Sequence, residues 1–419
     1  MMSSTRRVTR SSSSKAAANA GIASKASNAT TAIRGATNAT TTKRKRGTST
    51  KATPAKSDAM PLLDLGPLEE GVLVRRPSER NGSAYVGDVR LTSGPRAGCV
   101  AVTHVPNMDS GGKCRPGTRV LCRRRPGVGP DTVGGKFNMP KCELICQLIR
   151  CDEPENESLG GCWVSAHPSI GEKLVEALLR RGAFDTRLHM PVVELETQVS
   201  KMRKVTTSES GGYRPDFRGI HADGSATLIE TKQVVDTDYN LSTAHAAANE
   251  QPGHPVYARN TTTPPMGDYE RAGIFPWGKR NQKGPDDELV VSARAIEHVR
   301  ELAEIAGGEG RKLSSSGDIH AAVVLMAGRY DVSSIRPNGK ACPSFAVHLS
   351  RAESDGVKIL GHKVRWGEGK DQGKAFDGGE VPILAPLTDD DLSILVPKAK
   401  TTPSPKKKKK KTTNADGEK

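Results

Sequence analysis

The stretch that most constrains the fold is Tyr213–Val235, which reads YRPDFRGIHADGSATLIETKQVV. Two strand-like runs flank an Asp-Gly pair, which favours a tight hairpin because glycine accepts the positive φ of the turn. Such a hairpin brings Asp216 on its first strand close to Glu230 on its second. Side chains alternate along a strand, so Glu230 and Lys232 point to one face. We therefore expect two carboxylates and a lysine to meet on an otherwise apolar sheet.

The charges of this hairpin have two interpretations, because a charge inside an apolar strand costs free energy unless it is paired or ligates a metal. In the first, Glu230 and Lys232 form an ion pair on a solvated sheet face. The second rests on order: Pro215 and Asp216 precede the turn, and Glu-Thr-Lys ends the second strand. This arrangement resembles the signature of the PD-(D/E)XK nuclease fold.

The basic charge of the chain is concentrated at its two ends. Residues 1–57 contain 12 basic and no acidic residues, and residues 398–419 contain nine lysines and two acids. The chain as a whole carries +16, so the part between these ends is slightly acidic, at about −3. Nucleic-acid binding by the folded body therefore has to rest on local basic patches rather than on the overall charge.

The ends also bear on localisation. Residues 1–60 are dominated by small and polar side chains and lack the apolar segment of a secretory signal, which predicts a disordered tail. An acid-free, Arg- and Ser-rich segment is typical of a plastid or mitochondrial transit peptide. The basic runs Lys43–Arg46 and Lys406–Lys411 instead favour the nucleus, which is our expectation. No apolar run approaches the roughly 18 residues of a membrane span.

The eight cysteines predict reduced thiols rather than a disulfide framework, because no secretory signal accompanies them. Cys142, Cys146 and Cys151 are close in sequence but lack Cys-x-x-Cys spacing and a second pair. We interpret them as buried strand residues rather than as a zinc site.

Residues 61–150 are typical of a small β-barrel. Short strand-like segments, such as those at Gly71–Arg76 and Arg119–Arg123, are separated by turns with Gly and Pro. A basic stretch without an acid between Asp109 and Asp131 is either a solvated loop or a surface that contacts nucleic-acid phosphates. Its basic residues are Lys113, Arg115, Arg119, Arg123, Arg124 and Arg125.

The elements before the hairpin supply further carboxylates. An amphipathic helix is predicted at Ile170–Arg181, and its Glu176 can either pair with Arg180 one turn later or serve the hairpin site. A strand at Met190–Val199 carries Glu196.

After the hairpin, Asp236–Leu289 is rich in Pro, Asn, Thr and Gly and predicts a long insertion or loop beside the site. A helix at Val290–Glu304 places Arg294 and His298 on one face. A buried strand, a helix and a last strand follow it. The order of helix, three strands, helix and strand is similar to the core that PD-(D/E)XK nucleases share.

Six segments in the same order resemble the sugar fermentation stimulation protein A (SfsA) family over about residues 72–366. They are His104–Asn107 with Pro116-Gly117, Lys173–Leu178, Arg214–Phe217, Glu230–Val234, Ser292–Arg294 with His298, and Gly356–Leu360. The resemblance implies an OB-like barrel that binds DNA, to which His104 and Asn107 would contribute, and a C-terminal nuclease-type domain.

The expected fold is therefore of the α/β (α+β) class, with an OB-like barrel followed by a mixed sheet flanked by helices. The expected domains are a disordered tail at 1–60, the barrel at 61–150, the nuclease-like domain at 151–370 with an insertion at 236–289, and a C-terminal region at 371–419 that ends in a disordered Lys-rich tail.

The expected chemistry is phosphodiester hydrolysis assisted by Mg²⁺ or Mn²⁺, which prefer oxygen ligands. Lys232 would orient the attacking water or stabilise the developing charge, while Arg294 and His298 would contact the nucleic acid. The candidate metal ligands are Asp216, Glu230, the Thr231 carbonyl, Glu176 and Glu196.

Two other functions remain open from the sequence. The chain could be a non-catalytic DNA-binding or regulatory protein with a vestigial nuclease fold, although its intact Asp-Glu-Lys set argues against this. It could also be an RNA-binding OB module, but residues 61–150 hold few aromatic side chains for base stacking. We expect a nucleic-acid partner, DNA rather than RNA, and no membrane.

Overall fold

The computed structural model describes the chain in eight ranges. They are residues 60–106, 113–136, 138–151, 161–197, 213–237, 271–307, 318–339 and 341–384. Almost all of both predicted tails, Asn107 and residues 238–270 of the predicted insertion lie outside these ranges. No helix in the described ranges is long and apolar enough to span a membrane.

The described residues form twenty strands and three α-helices, and a single 3₁₀ turn lies at Gly369–Asp371. The strands are β1 (Leu63–Asp64), β2 (Glu69–Arg75), β3 (Val86–Leu91), β4 (Val100–His104), β5 (Arg119–Arg124), β6 (Val133–Gly134), β7 (Met139–Pro140), β8 (Leu144–Cys151), β9 (Cys162–Ser165), β10 (Val192–Thr197), β11 (Phe217–His221), β12 (Ala226–Val234), β13 (Asp236–Thr237), β14 (Ala272–Phe275), β15 (Gln282–Lys283), β16 (Leu289–Val290), β17 (Ile319–Ala327), β18 (Ser334–Pro337), β19 (Lys358–Trp366) and β20 (Lys374–Glu380). The helices are α1 (Ser169–Arg180), α2 (Ala293–Ala306) and α3 (Pro343–Ser354).

The first part of the described chain forms the predicted barrel. Its strands follow the order β4-β3-β2-β5-β8-β9, and an additional pairing of β4 with β8 closes the first five strands. Leu73, Val89, Val120 and Leu144 fill the interior because alternate residues of these short strands point inward. Gly71 allows the close approach of β2 and β3, since an added Cβ would lie 2.5 Å from a methyl carbon of Val89.

The largest sheet is a seven-stranded mixed sheet in the order β1-β20-β19-β17-β12-β11-β10, in which every strand except β1 follows the barrel. Its central strands β12, β17 and β19 run parallel, and helices cover both faces, so β17 in the middle is almost wholly apolar. On one face Leu228 packs with α2 and α3, and on the other Ile229 packs with α1. The predicted order of helix, three strands, helix and strand is confirmed.

The two sheets exchange strands at their margins. β1, close to the start of the described chain, pairs with β20 of the mixed sheet, whereas β9, which follows the barrel, pairs with β8. Within the predicted insertion, β13 and β14 form a small sheet with β18, and β15 and β16 form a hairpin. All eight cysteines are free thiols, and seven of them are buried or half-buried.

A buried ion network lies where the barrel meets the mixed sheet. Asp331 accepts hydrogen bonds from Arg329 at 2.6 and 2.7 Å and from Arg271 at 2.5 Å. Arg329 is fully buried and also donates to the Val235 carbonyl and to the Cys151 sulfur at the end of β8. The network thus links the last barrel strand to the end of β12.

Candidate active site

The predicted hairpin is present and is the frame of the site. β11 and β12 pair antiparallel, with Phe217 opposite Ile229. At the turn, the backbone N–H and the hydroxyl of Ser225 donate to Asp223, and these bonds lower the pKa of Asp223 to about 2. Gly224 has a φ of +83°, which agrees with the reason for predicting a turn there.

Glu230 is the centre of the site and is almost fully buried. Its Oε1 accepts hydrogen bonds from the Lys232 ammonium at 2.6 Å and from Nδ1 of His298 at 2.5 Å. Its Oε2 accepts from the Tyr213 hydroxyl at 2.8 Å. The predicted common face of Glu230 and Lys232 is therefore present, but it is buried rather than solvated.

Arg294 defines the tautomer of His298. The Arg294 guanidinium can only donate, and it does so to Nε2 of His298 at 3.2 Å. Nδ1 therefore carries the proton that His298 donates to Glu230. The helix α2 delivers both residues from one face, since they are four positions apart.

The charge state of Glu230 follows from these contacts. Burial by itself would raise its pKa, but the hydrogen bond from His298 and the positive charge of Lys232 outweigh burial and lower the pKa to about 2. Glu230 is therefore ionised at neutral pH. Burial, together with the negative charge of Glu230, raises the pKa of the Tyr213 hydroxyl. The ionised carboxylate of Glu230 thus lies inside the sheet as a hydrogen-bond acceptor.

Asp216 has the opposite electrostatic situation. Burial and the negative charge of Glu230 raise its pKa to about 7, with a further contribution from Glu172. The one hydrogen bond that it accepts from a described residue comes from the Thr231 N–H at 2.7 Å. Asp216 therefore has spare acceptor capacity and too little positive charge around it.

The backbone at Thr231 offers a further oxygen. In an antiparallel pair, the N–H and carbonyl of one residue point to the same side, and the Thr231 N–H points to Asp216. The register that pairs Phe217 with Ile229 would place Pro215 opposite Thr231. Because proline has no N–H, Pro215 cannot donate a hydrogen bond to the Thr231 carbonyl, which this geometry is expected to direct to the Asp216 side of the strand.

These oxygens fit a divalent cation that keeps part of its water shell. Among the described residues there is no group of three or more His, Cys, Asp or Glu side chains that could enclose a metal by itself. Mg²⁺, however, is commonly held by one or two carboxylates with water and substrate phosphate. Asp216, whose pKa is raised by neighbouring negative charge, would be relieved by such a cation.

We expect the substitution Asp216→Asn to stabilise the metal-free protein. The raised pKa means that the folded state binds an extra proton between about pH 4 and 7, so stability falls as the pH rises through this range and the full cost is present above pH 7. The amide can keep the bond from Thr231 without the charge. Urea unfolding in EDTA should show a gain of roughly 1–3 kcal/mol at pH 8 and none below pH 4. Equal stability of the two proteins at pH 8 would contradict this assignment.

The two other predicted metal ligands engage nearby arginines. Glu176 pairs with Arg180 at 2.8 Å on the exposed side of α1, the alternative that the sequence left open. Glu196 faces Arg218 across the β10–β11 pair at 3.4 Å. No hydrogen bond or ion pair between described residues joins either carboxylate to the hairpin site. On α1 it is instead the charge of Glu172 that reaches the site.

The predicted nucleic-acid contacts of the barrel differ in exposure and in pairing. Arg115, Arg119, Arg123 and Arg125 are exposed, while His104 is half-buried and Asn107 lies outside the described residues. Three of the basic residues pair with carboxylates: Lys113 with Asp236 at 2.9 Å, Arg119 with Glu70 at 2.7 Å, and Arg124 with Glu69 at 2.5 Å. Lys113 is also buried, so its ammonium is turned away from solvent.

Three residues near the site were missing from the predicted set. Tyr213 lies three residues before Asp216, and its hydroxyl has no signal in the strand pattern. Glu172 lies one turn before Glu176 on α1, so the helical pattern alone does not tell which of the two carboxylates is closer to the site. Glu301 follows His298 by three positions on α2 and contributes to the raised pKa of Tyr213; one of its buried oxygens has no hydrogen-bond partner among the described residues.

Known proteins that resemble this chain carry a common name. A sugar fermentation stimulation protein homolog of Prochlorococcus marinus (strain MIT 9303) is 31% identical over 314 residues, which cover 74% of this chain and 90% of that protein. A homolog of the same name from Pseudomonas putida (strain GB-1) is 25% identical over 71% of this chain and 90% of its own length. No family model matches the chain.

Among solved structures, Pyrococcus furiosus SfsA in complex with Ca²⁺ superposes with a TM-score of 0.48 at 16% identity. The superposition covers 78% of this chain and all of that one.

Proposed function

The chain belongs to the sugar fermentation stimulation protein A (SfsA) family, and from this premise we propose that it is a divalent-metal-dependent nuclease that binds DNA and hydrolyses phosphodiester bonds. The observation that carries the proposal is the convergence of Asp216, Glu230 and Lys232 at one buried point of the sheet. A structural ion pair needs only one carboxylate per lysine, whereas here a second carboxylate with a raised pKa lies beside the pair.

The metal would be Mg²⁺ or Mn²⁺, held by Asp216, Glu230 and the Thr231 carbonyl. When bound, it would polarise the phosphate and supply a water of lowered pKa. Glu230 already accepts three hydrogen bonds, of roughly four that a carboxylate can accept, so Asp216 carries most of the available capacity.

The remaining residues position and neutralise. Lys232 pairs with Glu230, and from this position its ammonium can stabilise negative charge that develops on the phosphate. His298 holds Glu230 in place by the bond from Nδ1. Arg294 is exposed at the start of α2, so its guanidinium is accessible to a phosphate of the nucleic acid while it orients His298.

One observation favours a second candidate function, a non-catalytic DNA-binding or regulatory protein. Lys232, His298 and Tyr213 already satisfy Glu230 without a metal, as in a purely structural polar cluster. The raised pKa of Asp216 favours the nuclease, because a structural cluster gains nothing from a carboxylate whose charge is not compensated.

The test is a cleavage assay with the full chain and with Lys232→Met, on single- and double-stranded DNA and RNA, in Mg²⁺, Mn²⁺ or EDTA. We expect wild-type cleavage that requires the metal, and a loss of at least 100-fold in the variant because a charge that faces the phosphate is removed. Binding without cleavage in either metal would move the conclusion to the regulatory function.

A further inference from the structure

The arginines of the barrel differ in whether a carboxylate neutralises them. Arg119 and Arg124 have glutamate partners on β2. Arg123 and Arg125, on the same run of sequence, are exposed and form no ion pair with any described residue. A surface that leaves some cations unpaired beside others that are paired has a local excess of positive charge, although the body of the protein carries no net excess of it.

The pairing of the strands shows where this excess lies. Ile145 of β8 is opposite Arg123 of β5 on one edge and opposite His104 of β4 on the other. Residues paired across strands point to the same face, and neighbouring strands are about 4.8 Å apart. His104 and Arg123 therefore flank the half-buried Ile145, roughly 10 Å from each other, on the outer surface where the barrel closes.

Arg76 adds a cation whose bonding is incomplete. Its Nε donates to the Ala84 carbonyl at 2.7 Å, but both terminal nitrogens are buried and have no hydrogen-bond partner among the described residues. Buried guanidinium nitrogens without an acceptor are costly, and the uncompensated charge of Arg76 acts on the nearby His104.

The neighbouring histidines respond to this charge. Burial lowers the pKa of His104, and Arg125 and Arg76 lower it further. Burial likewise lowers the pKa of His167, with contributions from His104 and Arg123. Arg76 and Arg125 are thus close enough to His104 to lower its pKa, Arg123 and Lys173 are close enough to His167 to do the same, and no carboxylate opposes them at either histidine.

The charged surface continues toward the candidate active site through α1. His167 accepts a hydrogen bond from the Ser169 N–H at the start of this helix. Lys173 is exposed in the next turn, and its charge lowers the pKa of His167. The charge of the adjacent Glu172 raises the pKa of Asp216. The first turns of α1 thus connect the barrel surface with the hairpin site.

We propose that this cationic seam, whose charge comes from Arg76, Arg123, Arg125 and Lys173 around His104 and His167, binds the phosphodiester backbone of the nucleic acid and directs it across the start of α1 to Asp216. The inference rests on the proposed function for the identity of the ligand. It keeps His104, Arg123 and Arg125 of the set that the sequence predicted and adds Arg76, His167 and Lys173. Lys113, Arg119 and Arg124 are left out because they already pair with carboxylates.

The test compares two double variants of the full chain, Arg123→Gln/Arg125→Gln and Arg119→Gln/Arg124→Gln. Both remove two positive charges from the same strand region, and both keep the basic tails. Binding of labelled duplex and single-stranded DNA is followed by fluorescence anisotropy in EDTA over a series of salt concentrations, with urea unfolding to verify the fold.

For duplex DNA, we expect the slope of log K against log salt to fall in magnitude by about 2 in the seam variant, close to 0.9 for each lost phosphate contact. The control variant should keep the wild-type slope. The same measurement on single-stranded DNA, where the slope should change by about 0.7 per lost contact, shows whether the seam also binds single strands.

Equal slopes for wild type and the seam variant would overturn the proposal, as would an equal fall in both variants. Because EDTA prevents metal-dependent cleavage, this result does not depend on the nuclease. A changed slope in the seam variant of a protein that never cleaves would support the seam and reject the nuclease. Cleavage by the wild type with an unchanged slope in the seam variant would support the nuclease and reject the seam.

Discussion

Replacing Asp216 by asparagine should reduce metal-dependent cleavage by at least about 1,000-fold, which corresponds to roughly 4 kcal/mol of transition-state stabilisation. Asp216 is the carboxylate with the most unused acceptor capacity at the site, and its raised pKa marks it as the group that a cation would relieve. The amide keeps the hydrogen bond from Thr231 but is a weaker metal ligand. Initial rates on the preferred DNA substrate, at saturating Mg²⁺ or Mn²⁺, measure the effect.

Asp223→Asn is a matched control for this substitution. Asp223 lies in the same hairpin, but at the exposed turn, and contacts Ser225 rather than the site. It should keep cleavage within a few-fold of wild type. An Asp216→Asn protein that still cleaves would remove Asp216 from the mechanism, whatever happens to the control.

A thermal-shift measurement shows whether Asp216→Asn loses cleavage because it no longer binds the metal. The proposed cation would bind the folded state, so adding Mg²⁺ or Mn²⁺ should raise the unfolding temperature of the wild type. The rise should be absent or much smaller in Asp216→Asn. Equal shifts in the two proteins would show that the stabilising ion binds elsewhere.

The largest loss of stability should come from Asp331→Ala, which we expect to cost about 3–5 kcal/mol. This substitution takes away the carboxylate that Arg329 and Arg271 both contact, and these guanidiniums are at most 6% exposed. Water cannot replace the lost partner at such depth, so the penalty of buried positive charge is fully felt. Urea unfolding of the variant, compared with wild type, gives the difference in free energy.

Asp287→Ala is the control for this second substitution, because Asp287 also pairs with a basic residue but on the surface. Its contact with Lys283 is 3.1 Å long, and the two side chains are 87% and 78% exposed. Exposed pairs of this kind contribute about 0–1 kcal/mol. If Asp331→Ala were no more harmful than Asp287→Ala, the network would not hold the barrel against the sheet.

Much of the site followed from local sequence patterns. Alternation along β12 predicted that Glu230 and Lys232 share a face, and the Asp-Gly turn predicted that Asp216 would approach them. The spacing of four residues placed Arg294 and His298 together on α2. These predictions succeeded because backbone geometry relates residues that are two, three or four positions apart, whatever surrounds them.

The tertiary structure decided which charges are compensated. The sequence treats six basic residues between 113 and 125 alike, whereas strand pairing supplies glutamates from β2 to some of them and none to Arg123 and Arg125. In the same way, the orientation of α1 turns the charge of Glu172 toward the site and pairs Glu176 with Arg180.

The amino-acid sequence thus determined the hairpin, its Asp-Glu-Lys set and the order of the surrounding elements, because each depends on short-range periodicity. Only the tertiary structure decided that Tyr213 and His298 bind Glu230 and that β8 alone separates His104 from Arg123. These contacts join residues 17 to 68 positions apart within the site. Their existence depends on sheet register and barrel closure, which the sum of packing across the whole fold selects and no local pattern encodes.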